Sequence, residues 1–256
     1  MGITGFDPSN APMEGVTHQF IYIRHFSAGS TVEDVCLFSQ VRRLTMTTEE
    51  TLKTGTTTIG MKIKDGVILA SDQRATMNNL IAHSHVQKVY QLSDNIGMTI
   101  AGVVGDAQLM VRYMQSEISI YGMKKGSPMS VSAAATYIAG AMRQGFYLGL
   151  IVGGYDKTGG HVFSIDGAGG YIEDDYTSVG SGSVFAYGAL EATYKPDMSK
   201  DEAIDVAITA LNSARRRDNC TGDGMLVSYI GPNGYESISA EEIRSRCDKL
   251  GFKYPN

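Results

Sequence analysis

One threonine in this chain stands where its hydroxyl could become a nucleophile. Thr56 follows Gly55 at the point where a polar, irregular leader gives way to a strand-like sequence. A threonine hydroxyl needs a neighbouring base, and the α-amine of a chain that begins at that threonine can serve as one. The α-amine has a reference pKa of about 7.7 to 8.0, so part of it is unprotonated near neutral pH. Cleavage after Gly55 would therefore create an N-terminal nucleophile.

The same stretch has a second interpretation. Residues 54–58 contain four threonines around one glycine. β-Branched residues favour strands whether or not they react, so the stretch is also typical of an ordinary strand. Thr56 by itself favours that second interpretation. Only the rest of the chain can favour a catalytic role for this threonine.

Composition limits the classes of function. The chain has 256 residues, of which 43% are hydrophobic, enough for a sizeable core. A net charge of −5 provides no basic field for nucleic acid. No apolar run approaches the roughly 18 residues that span a bilayer. We expect neither nucleic acid nor a membrane as a partner.

The cysteines and the N-terminus bear on the compartment. The three cysteines form no CxxC pair and are odd in number, which favours a reducing environment. The N-terminus lacks a basic region followed by an apolar core, so we expect no secretory signal. A cytoplasmic location follows.

Motifs for cofactors and metals are weak. The chain has 30 glycines but no phosphate-binding glycine motif and no G-x-S-x-G elbow. His83 and His85 lack the companion ligands of a metal site and indicate a surface loop. The arginines at 215–217 indicate a solvated helix end. We expect no cofactor and no metal.

The chain divides at Gly55. Residues 1–55 show no long periodic helix and are interpreted as a pro-segment, whereas residues 56–256 show orderly periodicity and are interpreted as the working domain. The predicted strands lie at 57–63, 67–71, 88–92, 96–101, 148–152, 161–165, 225–230 and 235–238. The first strand alternates from one residue to the next, and Asp65-Gly66 predicts a type I′ turn between the first two strands. The predicted helices lie at 104–122, 128–145, 183–194, from 199 to about 217, and at 241–250. The spacing of Ser199 and Glu202 predicts a capping box at the start of the fourth helix. Two helix pairs beside two sheets predict an α+β fold, a four-layer αββα sandwich.

Six stretches in order carry a family resemblance. They are residues 55–60, 70–76, Lys88, residues 100–107, residues 180–183, and Arg217-Asp218 before Thr221-Gly222. The domain that they span resembles the proteasome β-type subunits, which are threonine peptidases of the N-terminal nucleophile hydrolase superfamily. Without long insertions, the pattern is most similar to the archaeal type.

The resemblance implies a catalytic set. Thr56 would be the nucleophile, Lys88 would favour the deprotonated hydroxyl by its positive charge, and Asp72 would fix Lys88. The backbone N–H of Gly102 would be the oxyanion donor. Ser181 and Asp218 would orient the new N-terminus, together with a third residue that is usually serine in the family. The third position is Thr221 here, which keeps the hydroxyl and adds a methyl group.

The resemblance also implies a specificity pocket and self-cleavage. The pocket would be lined by Ala75, Thr76, Val86, Tyr90, Ile100 and Val104, with Gln108 at its rim. Without a charge at its base, it would accept apolar side chains before the scissile bond. The same chemistry would cut the chain between Gly55 and Thr56.

Partners follow from the resemblance as well. It implies seven-membered β rings stacked between α rings, an enclosed chamber, and unfolded polypeptides delivered by a regulatory ATPase. Two alternatives stay open. One is another enzyme of the superfamily, such as a bacterial two-ring protease or an amidohydrolase, which needs no α subunits. The other is a structural β subunit whose pro-segment is never removed.

Overall fold

Two stacked antiparallel sheets between helices form the domain. The computed structural model describes residues 55–254, so the predicted pro-segment lies outside the described residues except for Gly55. The strands are β1 (Thr58–Ile63), β2 (Gly66–Asp72), β3 (Ala75–Met77), β4 (Leu80–His83), β5 (Val89–Ser93), β6 (Ile96–Gly102), β7 (Leu148–Asp156), β8 (Gly159–Ile165), β9 (Tyr171–Glu173), β10 (Tyr176–Val179), β11 (Met225–Gly231) and β12 (Gly234–Ser237). The helices are α1 (Val104–Lys125), α2 (Val131–Met142), α3 (Ser183–Thr193), α4 (Lys200–Arg215) and α5 (Ala240–Lys249).

Each main sheet has five strands. The first sheet has the order β10-β1-β2-β11-β12, and the second has the order β5-β6-β7-β8-β9. A separate two-stranded hairpin, β3-β4, lies outside both. None of the described helices is long and apolar enough to cross a membrane.

Alternation along β2 shows how the layers form. Ile68 and Ala70 pack with α3, α4 and α5 in one core, whereas Val67 and Leu69 face the second sheet. Successive side chains of a strand point to opposite faces, so one strand contributes to two cores. The second sheet packs its other face on α1 and α2. The predicted four-layer αββα sandwich is confirmed.

The periodic elements match their predicted positions, with small shifts at the ends. The Ser199 side chain accepts from the backbone N–H of Glu202, and both halves of the predicted capping box are present. Helix α4 ends at Arg215 rather than at Arg217.

The first hairpin differs from its prediction in the turn. Asp65-Gly66 suggests a type I′ turn, but the loop between the paired residues Ile63 and Gly66 is Lys64-Asp65. A type I′ turn needs positive φ at both central residues, and neither Lys64 nor Asp65 has it. The type I′ assignment is therefore wrong, and Gly66 already belongs to β2.

Candidate active site

Strand register in the first sheet brings together the ends of the strands that carry five of the predicted site residues, Thr56, Asp72, Ser181, Asp218 and Thr221. Thr58 at the start of β1 pairs with Ser71 near the end of β2 and with Val179 at the end of β10. Asp72 at the end of β2 pairs with Met225 at the start of β11. Because neighbours run antiparallel, the segments before β1 and β11 meet the segments after β2 and β10.

The hydroxyl of Thr56 lies beside a buried ammonium group. Lys88 Nζ donates to Thr56 Oγ1 at 2.9 Å and to Asp72 Oδ1 at 2.8 Å. It also donates to the carbonyl oxygen of Arg74. All three N–H bonds of the ammonium group are therefore used, which fixes its charge next to the hydroxyl.

The Asp72 carboxylate accepts four hydrogen bonds in the candidate site. Besides Lys88, its oxygens accept from the backbone N–H groups of Thr57 at 3.0 Å, Arg74 at 3.1 Å and Gly222 at 3.0 Å. Burial raises the pKa of Asp72, against the opposing effects of Lys88 and the backbone donors. Burial likewise lowers the pKa of Lys88, and Asp72 opposes that shift. Three backbone donors and one counter-ion compensate for removing this carboxylate from water.

A second network surrounds the backbone nitrogen of Thr56. That N–H donates to Ser181 Oγ at 3.2 Å, and Ser181 donates to Asp218 Oδ2 at 2.6 Å. The hydroxyl of Thr221 donates to the same carboxylate oxygen at 2.6 Å. The three residues thus form one network that reaches the Thr56 nitrogen through Ser181, and the Thr221 hydroxyl makes its bond to Asp218 despite the added methyl group.

Thr57 also belongs to this network, although the sequence analysis did not single it out. Its hydroxyl lies 2.7 Å from the hydroxyl of Thr221. The donor of Thr221 is directed to Asp218, so Thr57 donates in this pair. The threonine run at 54–58 was the available signal, but strand propensity explains it equally well.

The predicted oxyanion donor ends strand β6. Gly102 has a φ of 134°, a conformation open mainly to glycine. A Cβ at this position would lie 2.4 Å from the carbonyl oxygen of Tyr147. Gly102 lines the same cavity as Thr56, so both backbone conformation and space demand glycine here.

An apolar cavity of about 120 Å³ opens beside Thr56. Six of the seven residues predicted for the pocket line it, namely Ala75, Thr76, Val86, Tyr90, Ile100 and Val104. Gln108 is exposed on α1 and is not among the lining residues. The lining also includes Ala82, His83, Gln87 and Ala107, which the sequence analysis missed. Ala107 could have been found, because it lies three residues after Val104 on one helix face.

Arg74 is a further residue that the sequence analysis did not assign. Its guanidinium makes a bidentate pair with Asp223 at 2.7 and 2.9 Å and donates to the carbonyl oxygen of Asn219 at 2.9 Å. The pair ties the loop that carries Asp218 and Thr221 to the end of β2. Because Arg74 and Asp223 are 149 positions apart, no local sequence pattern predicts their ion pair.

Most of the chain matches a known protein family. Residues 52–230 match the profile of the family described as "Proteasome subunit". The chain belongs to the proteasome subunit family. This is a family of threonine proteases, and membership implies assembly with α and β subunits into rings.

Curated relatives agree with this assignment. A "Proteasome subunit beta" of Picrophilus torridus is 47% identical over 206 residues, covering 78% of this chain and 98% of the relative. The same-named protein of Thermoplasma acidophilum is 45% identical, covering 79% and 98%. That of Methanosphaerula palustris is 47% identical, covering 77% and 96%. The predicted resemblance to archaeal-type proteasome β subunits is confirmed.

Metal ligands were not predicted for this proteasome subunit. Among residues 55–254, no group of three His, Cys, Asp or Glu side chains is placed to hold a metal ion. The two histidines at 83 and 85 are exposed.

Proposed function

We propose that this proteasome subunit is a threonine endopeptidase that is made as a precursor and cuts itself between Gly55 and Thr56. Residues 1–55 are then the pro-segment, and residues 56–256 are the catalytic domain. The catalytic set comprises Thr56, Asp72, Lys88, Gly102, Ser181, Asp218 and Thr221.

One observation carries the proposal. The hydroxyl of Thr56 is buried, lies 2.9 Å from the Lys88 ammonium, and lies 2.7 Å from the carbonyl oxygen of Gly55. A hydroxyl buried on a strand for structural reasons alone would need only a neutral partner. A buried ammonium with its own counter-ion is costly, and it is the group that favours an alkoxide.

Self-cleavage follows from this arrangement in two balanced steps. Thr56 Oγ attacks the carbonyl carbon of Gly55, the bond from that carbon to the Thr56 nitrogen breaks, and the nitrogen takes up the proton that the hydroxyl loses. An ester now joins Gly55 to Thr56 Oγ. Water then hydrolyses the ester, which leaves a carboxylate on Gly55 and restores the Thr56 hydroxyl with a free α-amine.

Peptide hydrolysis uses the same groups with the freed amine. The α-amine accepts the proton of the hydroxyl, directly or through a water molecule, as Oγ attacks the substrate carbonyl. The Gly102 N–H stabilises the resulting oxyanion. The network of Ser181, Asp218 and Thr221 holds the amine in place. Collapse of the intermediate releases the amine half of the substrate, and water hydrolyses the remaining ester.

The substrate preference follows from the cavity. Its lining is largely apolar, which supports cleavage after apolar residues. As in the family that the resemblance identified, we propose seven-membered β rings between α rings in the cytoplasm. A regulatory ATPase would supply unfolded polypeptides to the chamber.

The test is intact-protein mass spectrometry of the full chain assembled with proteasome α subunits. We expect the wild type to lose residues 1–55 and Thr56→Ala to keep them. Thr56→Ser is the matched control, since it keeps a hydroxyl and should still be cut. A wild-type particle that keeps its full-length β chain would instead identify a structural, non-catalytic subunit. Cleavage of Thr56→Ala, with no other active subunit present, would exclude self-cleavage.

A further inference from the structure

Gly55 lies directly against the side chain of Cys220. A Cβ placed on Gly55 would lie 1.8 Å from Cβ and 2.6 Å from Sγ of Cys220, and 2.8 Å from Oγ of Ser181. Real Cβ atoms essentially never lie closer than 3.0 Å to another heavy atom. No side chain fits before Thr56 unless one of these groups moves.

Space demands glycine at this position. The side chain of Cys220, with the Ser181 hydroxyl beside it, forms a wall that leaves no room for a Cβ on residue 55.

The backbone of Cys220 is held on both sides. Its N–H donates to Asp218 Oδ1 at 3.1 Å, and the carbonyl of Asn219 accepts from Arg74 at 2.9 Å. The next two residues are bound as well, Thr221 through Asp218 and Gly222 through Asp72. A clash at position 55 would therefore displace the scissile carbonyl more readily than it would displace Cys220.

We propose that Cys220 is a specificity-determining residue for self-cleavage, whose Cβ restricts the residue before Thr56 to glycine. The inference rests on the proposed function, because it concerns the bond that the precursor is proposed to cut. Cys220 takes no chemical part in the step. It sets the space in which the Gly55 carbonyl can approach Thr56 Oγ.

The size of the effect follows from the geometry of attack. A displacement of the reacting carbonyl by about 1 Å can cost on the order of a hundredfold in rate. We expect Gly55→Ala to slow self-cleavage by roughly ten- to a hundredfold. We expect Gly55→Val to be slower than Gly55→Ala, since its side chain meets the same wall with more volume.

The experiment follows the appearance of the mature chain by intact mass after the full-length precursor is mixed with α subunits. Gly55→Ala is made in three backgrounds: wild type, Cys220→Gly and Cys220→Ala. Cys220→Gly removes the Cβ that lies 1.8 Å away, so the slowing caused by Gly55→Ala should shrink to a few-fold. Cys220→Ala is the matched control, because it removes Sγ but keeps that Cβ, and most of the slowing should persist.

The cleavage rates of these variants support or overturn a role for Cys220. Equal cleavage of Gly55→Ala and wild type would overturn the proposal, as would equal slowing by Gly55→Ala in the wild-type and Cys220→Gly backgrounds. If Cys220→Gly fails to assemble, the series of glycine, alanine and valine at position 55 decides instead. Slowing that rises with size supports a wall, and equal slowing by alanine and valine would overturn it in favour of a need for glycine flexibility. A wild-type chain that is never cut would overturn the proposed function, and the inference with it.

Discussion

The backbone N–H of Gly222 donates to Oδ2 of Asp72 at 3.0 Å, although the two residues are 150 positions apart. The same carboxylate binds the Lys88 ammonium through its other oxygen. One side chain thus joins the groups around the Thr56 hydroxyl to the loop whose Asp218 accepts from Ser181, the residue that binds the Thr56 nitrogen. The two halves of the candidate site are therefore mechanically connected.

Replacement of Lys88 should abolish activity even when the charge is kept. The ammonium donates one hydrogen bond each to Thr56, Asp72 and the carbonyl of Arg74, a geometry that a planar guanidinium cannot copy. We expect Lys88→Ala and Lys88→Arg each to lower kcat by at least about a hundredfold. Peptidase assays and the mature fraction measure this. Lys64→Arg, at an exposed turn, is the control and should behave as wild type.

The hydroxyl of Thr221 can be separated from its methyl group. Thr221→Ser keeps the bonds to Asp218 and Thr57, so it should retain near wild-type activity. Thr221→Val keeps the shape but leaves the buried Thr57 hydroxyl without this partner, at a cost of about 1 to 3 kcal/mol. We expect roughly tenfold slower peptide hydrolysis for the valine variant. Equal activity of the two variants would show that the hydroxyl network is not needed.

Filling the cavity should change the substrate preference. Ala75→Val adds volume to the lining, so kcat/KM for peptides with phenylalanine or leucine before the scissile bond should fall relative to alanine. One or two methylene groups in such a pocket are worth roughly ten- to two-hundredfold. A fluorogenic peptide panel measures this. Gln108→Ala, outside the cavity lining, should leave the order unchanged; a preference for acidic or basic peptides in the wild type would contradict the proposed pocket.

The Arg74–Asp223 pair should stabilise the fold in a pH-dependent way. Hydrogen bonds from Arg74 hold the pKa of Asp223 below its ordinary value of 3.8. Because the folded-state pKa is lowered, the stabilisation is present above pH 3.8 and is lost as the pH falls through the folded-state pKa. The Tm of Asp223→Asn should therefore lie below that of wild type at about pH 6, and the gap should close below the ordinary pKa. A gap that stays constant with pH would exclude the ion pair as its cause.

The strongly periodic elements were predictable from the sequence because their stabilising pattern is local. The capping box at Ser199 and the alternation along β1 each lie within a few residues. The short strands β3, β4, β9 and β10 were missed, because strands of three or four residues seldom show a clear period; β12 is as short but was predicted. The missed β3-β4 hairpin contributes Ala82 and His83 to the cavity.

Contiguous residues were enough to predict the family, the order of the layers and the position of the candidate nucleophile, since Gly55-Thr56 and the other matching stretches are each read along the chain. The family resemblance implied Lys88 and Ser181 as partners of that nucleophile, but only the folded domain shows their contacts with it. Lys88 and Ser181 reach Thr56 from 32 and 125 positions away. Cys220 meets Gly55 from across the chain. Burial and strand register bring such groups together, and neither leaves a signal in the residues next to Thr56.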